Sequence, residues 1–348
     1  MIRLSSDRVY VIAEAGPNHN GDPAIAQTLI DVAAEAGADA VKFQLFVLDE
    51  IVSPTTPLAE YQKRSGEINQ REMLQRLLLS HDVFRQLKAH AERRGLDFLV
   101  TPFDAASAKF LASLGVKAMK IGSGEITNLP FLQTIAALKI FTIISTGMST
   151  LEEVEDAIAP FQEAGTPYAL LHCVSAYPAP VDQINMRAME TLRTHFRVPV
   201  GYSDHTLGLD VAVTAAALGA QILEKHFTLD RTMVGPDHAA SVEPDELQKM
   251  IRIIRDKEAL RRAPLVQEAI GTGEKRCQPC EEDTRAAARR SVVVVRDIAR
   301  HATLTEDMIA IKRPGTGIPP KLLANVLGKK AAKDLQAGTV LTAELLLT

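Results

Sequence analysis

Residues 201–241 read GYSDHTLGLDVAVTAAALGAQILEKHFTLDRTMVGPDHAAS, and two of their histidines fall at the ends of two short apolar runs. His205 follows Val198–Tyr202 and His226 follows Ile222–Lys225, so each imidazole stands where a buried strand runs out into a loop. In a parallel α/β barrel, side chains at the carboxyl ends of neighbouring strands converge on one mouth, so two such histidines can hold one metal ion. A histidine at a strand end is, taken alone, more often a hydrogen-bonded structural residue. The surrounding chain has to decide.

Working outward, the same strand–loop–helix unit recurs. Val9–Ala13 is short and β-rich, ends at Glu14 and runs into the turn Gly16-Pro17-Asn18-His19-Asn20-Gly21. Asp22 and Pro23 then start a helix that Gly37 stops. Further strands are expected at 40–43, 98–100, 118–121, 141–144, 168–171, 198–202 and 222–225, which makes eight. Gly37, Gly95, Gly115, Gly165 and Gly219 each stand just before a strand, in contexts such as EAGADA and SLGVKA. That is the left-handed position after a helix, followed by a short loop. Eight buried strands alternating with helices predict a parallel (β/α)8 barrel, an α/β fold of the TIM type. Polar residues follow all eight strands, whereas an open doubly wound sheet gathers its ligands at one switch point.

The barrel is expected over residues 1–263, a charged linker over 264–286 and a small β-rich domain over 287–348. Within the last, HATLTEDMI (301–309) resembles AGTVLTAELL (337–346), which suggests two copies of one small unit. Residues 45–79 form a long connection with a short helix near 69–78, the length of a lid or binding loop.

The net charge is −4 and no basic stripe is present, which argues against nucleic acid or a membrane surface as partner. No stretch approaches the ~20 apolar residues of a membrane span, and the N-terminus has no signal-peptide pattern, so a cytoplasmic protein is expected. Cys277 and Cys280 form a lone CxxC, weak evidence for zinc and read as a linker feature.

Lys42, Lys120 and Lys225, with Thr101, Ser123, Ser145 and Ser203, gather at strand ends. Lysines and hydroxyls converging on one mouth suit a phosphate, or a phosphate with a carboxylate. Glu14, Glu125 and Asp237 add carboxylates. His205 and His226 with oxygen ligands and water suit Mn²⁺ or a similar cation better than structural zinc. His172, His238 and His19 are expected in orienting or structural roles.

In this light the sequence resembles the sialic acid (N-acetylneuraminate, or nonulosonic acid) synthase family. The ordered blocks are AEAGPNHNGD (13–22), KFQ (42–44), KIGSGEITNLP (120–130), STGM (145–148) and GYSDHTLG…EKHFTLD…GPDHAAS (201–241), with TPFD (101–104), LHCVSAYPAP (171–180) and KRPGTGI (312–318) in support. The tail resembles the antifreeze-like, or SAF, domain of these enzymes. The resemblance implies condensation of phosphoenolpyruvate with an N-acylated mannosamine-type sugar and water, releasing phosphate. It implies that His205 and His226 hold Mn²⁺ or Mg²⁺ and that Glu14 manages the attacking water. Lys42, Thr101, Lys120, Ser123, Ser145 and Ser203 would clasp phosphoenolpyruvate, while Gln44, Glu125, Tyr177 and Asp237 face the sugar. Arg313 would reach the N-acyl group from the tail of the other subunit of a domain-swapped homodimer. Ser175 departs from the family, standing where some members carry Asn.

N-acetylmannosamine is the first expectation for the sugar, and the di-N-acetylated 6-deoxy sugars leading to legionaminate or pseudaminate are the alternative. Two other classes compete: a Schiff-base aldolase with Lys120 as nucleophile, and a carbohydrate-binding protein that releases no phosphate.

Overall fold

The computed structural model describes residues 2, 4, 7–54 and 56–347, so residues 1 and 348, the outer limits of the expected domains, lie outside the described residues. Eight strands, β1 (Tyr10–Glu14), β2 (Ala40–Leu45), β3 (Asp97–Pro102), β4 (Ala118–Ile121), β5 (Phe141–Ser145), β6 (Tyr168–Cys173), β7 (Val200–Asp204) and β8 (Ile222–His226), pair in sequence order as a closed barrel. The seam between β1 and β8 is parallel, and it sets Glu14 opposite His226.

Local chemistry explains the units. Asp22 accepts the amide of Ala24 at the head of helix Pro23–Glu35, with proline in its first turn. Ser80 caps helix His81–Arg93, and Thr150 with Glu153 forms a capping box on helix Leu151–Ala164. The five glycines read as helix stops all have positive φ, between 65° and 84°. The same corner before β7 is turned by Arg197, also left-handed, which no sequence signal announced.

Strand parity divides the core. Ile12, Ala40, Leu99, Ala118, Ile143, Ala169, Leu171 and Ile222 form one cluster, the filling of the barrel. Residues of opposite parity, among them Val11, Val41, Val100, Met119, Leu170 and Leu223, pack with the helices outside. Side chains that follow the inner parity to the carboxyl ends therefore meet in one bowl.

The tail builds two small antiparallel sheets, β9 (Ser291–Val294) with β10 (Ile309–Lys312), and β11 (Lys330–Ala331) with β12 (Leu346–Leu347). They share a core around Val292, Leu304, Ile309, Leu335 and Leu341. The internal similarity is structural: a one-turn 3₁₀ helix leads into β10 after Thr305 and into β12 after Thr342. The linker is pinned to the barrel, since Met186 and Arg187 donate their amides to Ala269 and Ile270. In the single chain the tail lies on its own barrel: Arg313 donates its amide to Ile51 O and accepts from Thr56 Oγ1 through its carbonyl.

Candidate active site

One cavity of about 1000 Å³, its open mouth included, lies at the carboxyl ends of the strands. Every expected site residue except Glu125 and Lys225 lines it: Glu14, Lys42, Gln44, Thr101, Lys120, Ser123, Ser145, Tyr177, Ser203, His205, His226, Asp237 and Arg313.

The floor is a charge lattice. Lys42 Nζ lies 2.6 Å from Glu14 Oε2 and donates to Thr101 Oγ1 at 3.2 Å. Between the two lysines sits Glu224, 3.8 Å from Lys42 and 3.4 Å from Lys120, accepting from Ser203 Oγ at 2.9 Å. Burial opposes each charge here. For Lys42 the carboxylates of Glu14 and Glu224 outweigh burial and raise the pKa, whereas for Lys120 burial wins and lowers it. Burial likewise raises Glu14 against the pull of Lys42. Glu224 goes the other way, its burial overcome by Lys120 and Lys42.

The histidines sit above this floor with ring centroids 5.4 Å apart. His205 Nδ1 lies 2.7 Å from Val174 O. A carbonyl only accepts, so Nδ1 carries the proton and Nε2 keeps its lone pair. Burial lowers the His205 pKa to about 4 and that of His226 well below the ordinary value, so both rings are neutral, the ligand form. His226 Nδ1 is buried without a hydrogen-bond partner, 3.5 Å from Asp237 Oδ2. Burial and the charge of Glu14 raise Asp237 to about 7. Two neutral imidazoles and nearby carboxylate oxygens fit a divalent cation whose remaining ligands are water or substrate. Among the described residues no group of three or more His, Cys, Asp or Glu is placed to hold a metal ion by itself. Ser145 Oγ, also buried and unpaired, is a second atom that a ligand would satisfy.

The upper wall comes from the 45–79 connection and the tail. Tyr177 packs against His205 at 4.3 Å and against Tyr61 at 4.6 Å between ring centroids. Arg313 Nη1 donates to Gln70 Oε1 at 3.2 Å, and its guanidinium lies 5.4 Å from the Phe103 ring. Phe46, Ile51, Met73, Leu74 and Leu77 complete an apolar face.

One expected residue stands apart and one expectation needs correction. Glu125 is not in the cavity lining: it accepts from Arg290 Nε and Nη2 at 2.7 and 2.5 Å and from Asn128 Nδ2 at 2.8 Å, which ties the tail to the barrel. Lys225 has the outer parity and is fully buried against Asp204 Oδ2 at 2.6 Å and Thr206 O at 2.7 Å, so it is not part of the anion site. The orienting histidines hold to structural contacts, His172 donating to Ile184 O and His238 meeting Thr228 Oγ1, both at 2.7 Å, while His19 accepts from the Gly21 amide. Cys277 and Cys280 are free thiols in the linker. Sequence reading missed Glu224, which shares inner parity with His226 two residues on. It also missed Tyr61 and the apolar face, whose segment has no strand register to place them.

Residues 29–263 match the NeuB family, and residues 289–347 match the SAF domain. The chain belongs to the NeuB family. It is 44% identical over 346 residues to the N,N'-diacetyllegionaminic acid synthase of Legionella pneumophila, covering 97% of this chain and 95% of that one. With the N-acetylneuraminate-9-phosphate synthase of Homo sapiens it shares 34% identity, over 97% of this chain and 92% of that enzyme. Among solved structures, the spore coat polysaccharide biosynthesis protein spsE of Bacillus subtilis superposes with a TM-score of 0.83 at 33% identity, covering 98% of this chain and 96% of that one. This NeuB-family chain is thus an enzyme of the sialic and nonulosonic acid synthases, and no described helix is long and apolar enough to cross a membrane.

Proposed function

We propose that the chain condenses phosphoenolpyruvate with a di-N-acetylated 6-deoxy hexose and water, giving a legionaminate-type nine-carbon acid and phosphate. The apolar face of Phe46, Ile51, Met73, Leu74 and Leu77 in the cavity carries the choice of sugar. A methyl group buried there gains ~0.8 kcal/mol, while a hydroxyl left without a partner loses ~1–3 kcal/mol. The two together favour a deoxy end by roughly 20- to 600-fold. The greater identity to the Legionella enzyme than to the human one supports the same choice, so N-acetylmannosamine, the first expectation, yields to its alternative.

In this reading Lys42, Lys120, Thr101, Ser123, Ser145 and Ser203 hold the phosphate and carboxylate of the enol ester. His205 and His226 would hold Mn²⁺ or Mg²⁺, which when bound polarises the aldehyde oxygen. C3 of the enol ester attacks the aldehyde carbon, and the electron-poor C2 takes up water. Glu14, oriented by Gln44 Nε2 at 3.1 Å and by Lys42, takes the proton of that water. Breaking the bond between C2 and the phosphate oxygen, with loss of the remaining proton of the added water, releases phosphate and leaves the ketone; the two water protons end on the former aldehyde oxygen and on the phosphate. Tyr177, Asp237, Gln44 and Arg313 position the sugar; Arg313 reaches the cavity from the tail lying on the same barrel, and an exchange of tails between two copies would supply the same residue in trans.

Phosphate release measured across acceptor sugars at fixed phosphoenolpyruvate tests the reading. The di-N-acetylated 6-deoxy sugar should exceed N-acetylmannosamine in kcat/KM at least tenfold, and an equal or reversed ratio rejects it. The lowered pKa of Lys120 is the one feature that favours a Schiff-base lyase, and a borohydride-trapped pyruvate adduct would identify that enzyme instead.

A further inference from the structure

The loop after β5, Thr146–Thr150, carries Met148 into the cavity wall next to Ser145. Met148 is buried and left-handed, with φ 58°, a conformation a side-chain-bearing residue keeps only when its surroundings enforce it. Gly147 beside it has no room for a side chain, since a Cβ would stand 2.3 Å from Ser175 Oγ and 2.9 Å from both Cys173 Sγ and Ser123 Oγ. Here the hydroxyls assigned to phosphate touch backbone: Gly147 donates its amide to Ser123 Oγ at 2.9 Å.

What enforces this conformation comes from the linker and the first residues after it. Glu281 is fully buried, and its Oε1 accepts the amides of both Met148 and Ser175 at 2.7 Å, tying the ends of β5 and β6 together. Its Oε2 accepts the Gln278 amide at 2.8 Å, which fixes the carboxylate on its own turn. Arg289 Nη2 holds the Met148 carbonyl at 2.8 Å, and Lys275 Nζ holds the Ser149 carbonyl at 2.9 Å. Both ends of the strained residue are thereby gripped by the segment that leads into the tail.

We propose that Glu281 is a positioning residue for the phosphate half of the site. It does not line the cavity, and it acts by fixing Met148 and Ser175 so that Ser123 and Ser145 keep their place. The proposal rests on the phosphoenolpyruvate reading. It also makes the linker part of the catalytic machinery rather than a tether.

Glu281→Ala removes the acceptor for two buried amides, while Glu281→Gln keeps one acceptor oxygen of the same shape. Hydrogen exchange is followed on peptides covering residues 141–150 and 168–177. In parallel, steady-state kinetics and the inhibition constant of inorganic phosphate are measured. For Glu281→Ala, exchange in those two peptides should quicken at least tenfold with β1 and β8 unchanged. The KM for phosphoenolpyruvate and the phosphate inhibition constant should both rise about tenfold, with kcat within threefold and the sugar KM within twofold. Glu281→Gln should recover most of each change. Unchanged exchange in both variants would overturn the proposal. So would a fall in kcat that merely tracks lost folded protein while the KM for phosphoenolpyruvate stays put. If the wild-type enzyme bound neither phosphoenolpyruvate nor phosphate, the functional reading would fail, and the exchange comparison would still decide whether Glu281 sets the loops.

Discussion

Replacing Arg290 by Met should detach the tail from the barrel. Arg290 and Glu125 form an ion pair with side chains 1% and 0% exposed, and the same guanidinium also donates to Ile51 O at 2.8 Å and Phe103 O at 2.9 Å. Among the described residues, removing it leaves Glu125 with the Asn128 amide as its side-chain hydrogen-bond donor, inside protein, and with the Arg313 charge nearby. Stranding one partner of a buried pair costs ~3–5 kcal/mol, most of it the desolvated charge left behind. The double variant Arg290→Met/Glu125→Leu removes that charge too and should fall within ~2 kcal/mol of wild type. Because the tail has its own core, the loss should appear as undocking rather than as collapse of the barrel. Urea denaturation read together with limited proteolysis of residues 264–286 measures it. The single variant should expose the linker to cleavage and lose activity as Arg313 leaves the mouth. A single-variant cost below ~1 kcal/mol with the linker still protected, or a double variant less stable than the single, would refute the reasoning.

Lys120→Ala should raise the KM for phosphoenolpyruvate by ten- to a hundredfold and leave the sugar KM near its wild-type value, and the reverse pattern in initial-rate kinetics would reject its assignment to the anion. Chelation by EDTA should abolish phosphate release and Mn²⁺ restore it, with His226→Ala inactive but folded by circular dichroism; full activity after exhaustive metal removal would reject the two-histidine site. His172, whose pKa burial lowers to about 3, is neutral in the folded chain and protonates in the unfolded chain near 6.5. Its contribution to stability is therefore complete above pH 6.5 and drains away as pH falls toward 3. Urea midpoints from pH 7 to 4 should fall less steeply in His172→Gln, and parallel slopes would contradict this. His226→Ala and Arg313→Ala chains refolded together should recover activity in about a quarter of all sites if tails are exchanged between copies. No recovery in verified mixed dimers would place Arg313 in cis, as it lies in the single chain.

The barrel was legible because its signals are local: a glycine at each helix stop, a β-rich run behind it and a polar residue where the run ends. Parity within a strand is local too, yet it needs a fixed starting point. His226 at the end of β8 supplies one, and counting back two residues puts Glu224 in the bowl and Lys225 outside, an inference the sequence supported but a list of strand-end cations obscured. Glu125 was out of reach for a different reason. Its partner Arg290 lies 165 residues away, and the turn that carries it has no period to say which way the carboxylate faces. The apolar face was hidden only in part: Met73, Leu74 and Leu77 follow the spacing of the expected short helix, observed at Gln70–Arg76, whereas Ile51 takes its place from contacts with Arg290 and Arg313 of the tail.

The alternation along β8 bears on how such enzymes change over evolutionary time. Glu224 and His226 share the inner face because they are two apart, so inserting or deleting one residue between Ile222 and His226 would turn one of them outward and Lys225 inward in one step. No gradual route leads through the strands. The 45–79 segment has no such constraint, so it can lengthen, shorten or exchange side chains while the reacting groups stay where they are. Descendants of one ancestral barrel can in this way come to accept different sugars while sharing one reaction, and variation among them should concentrate in that segment.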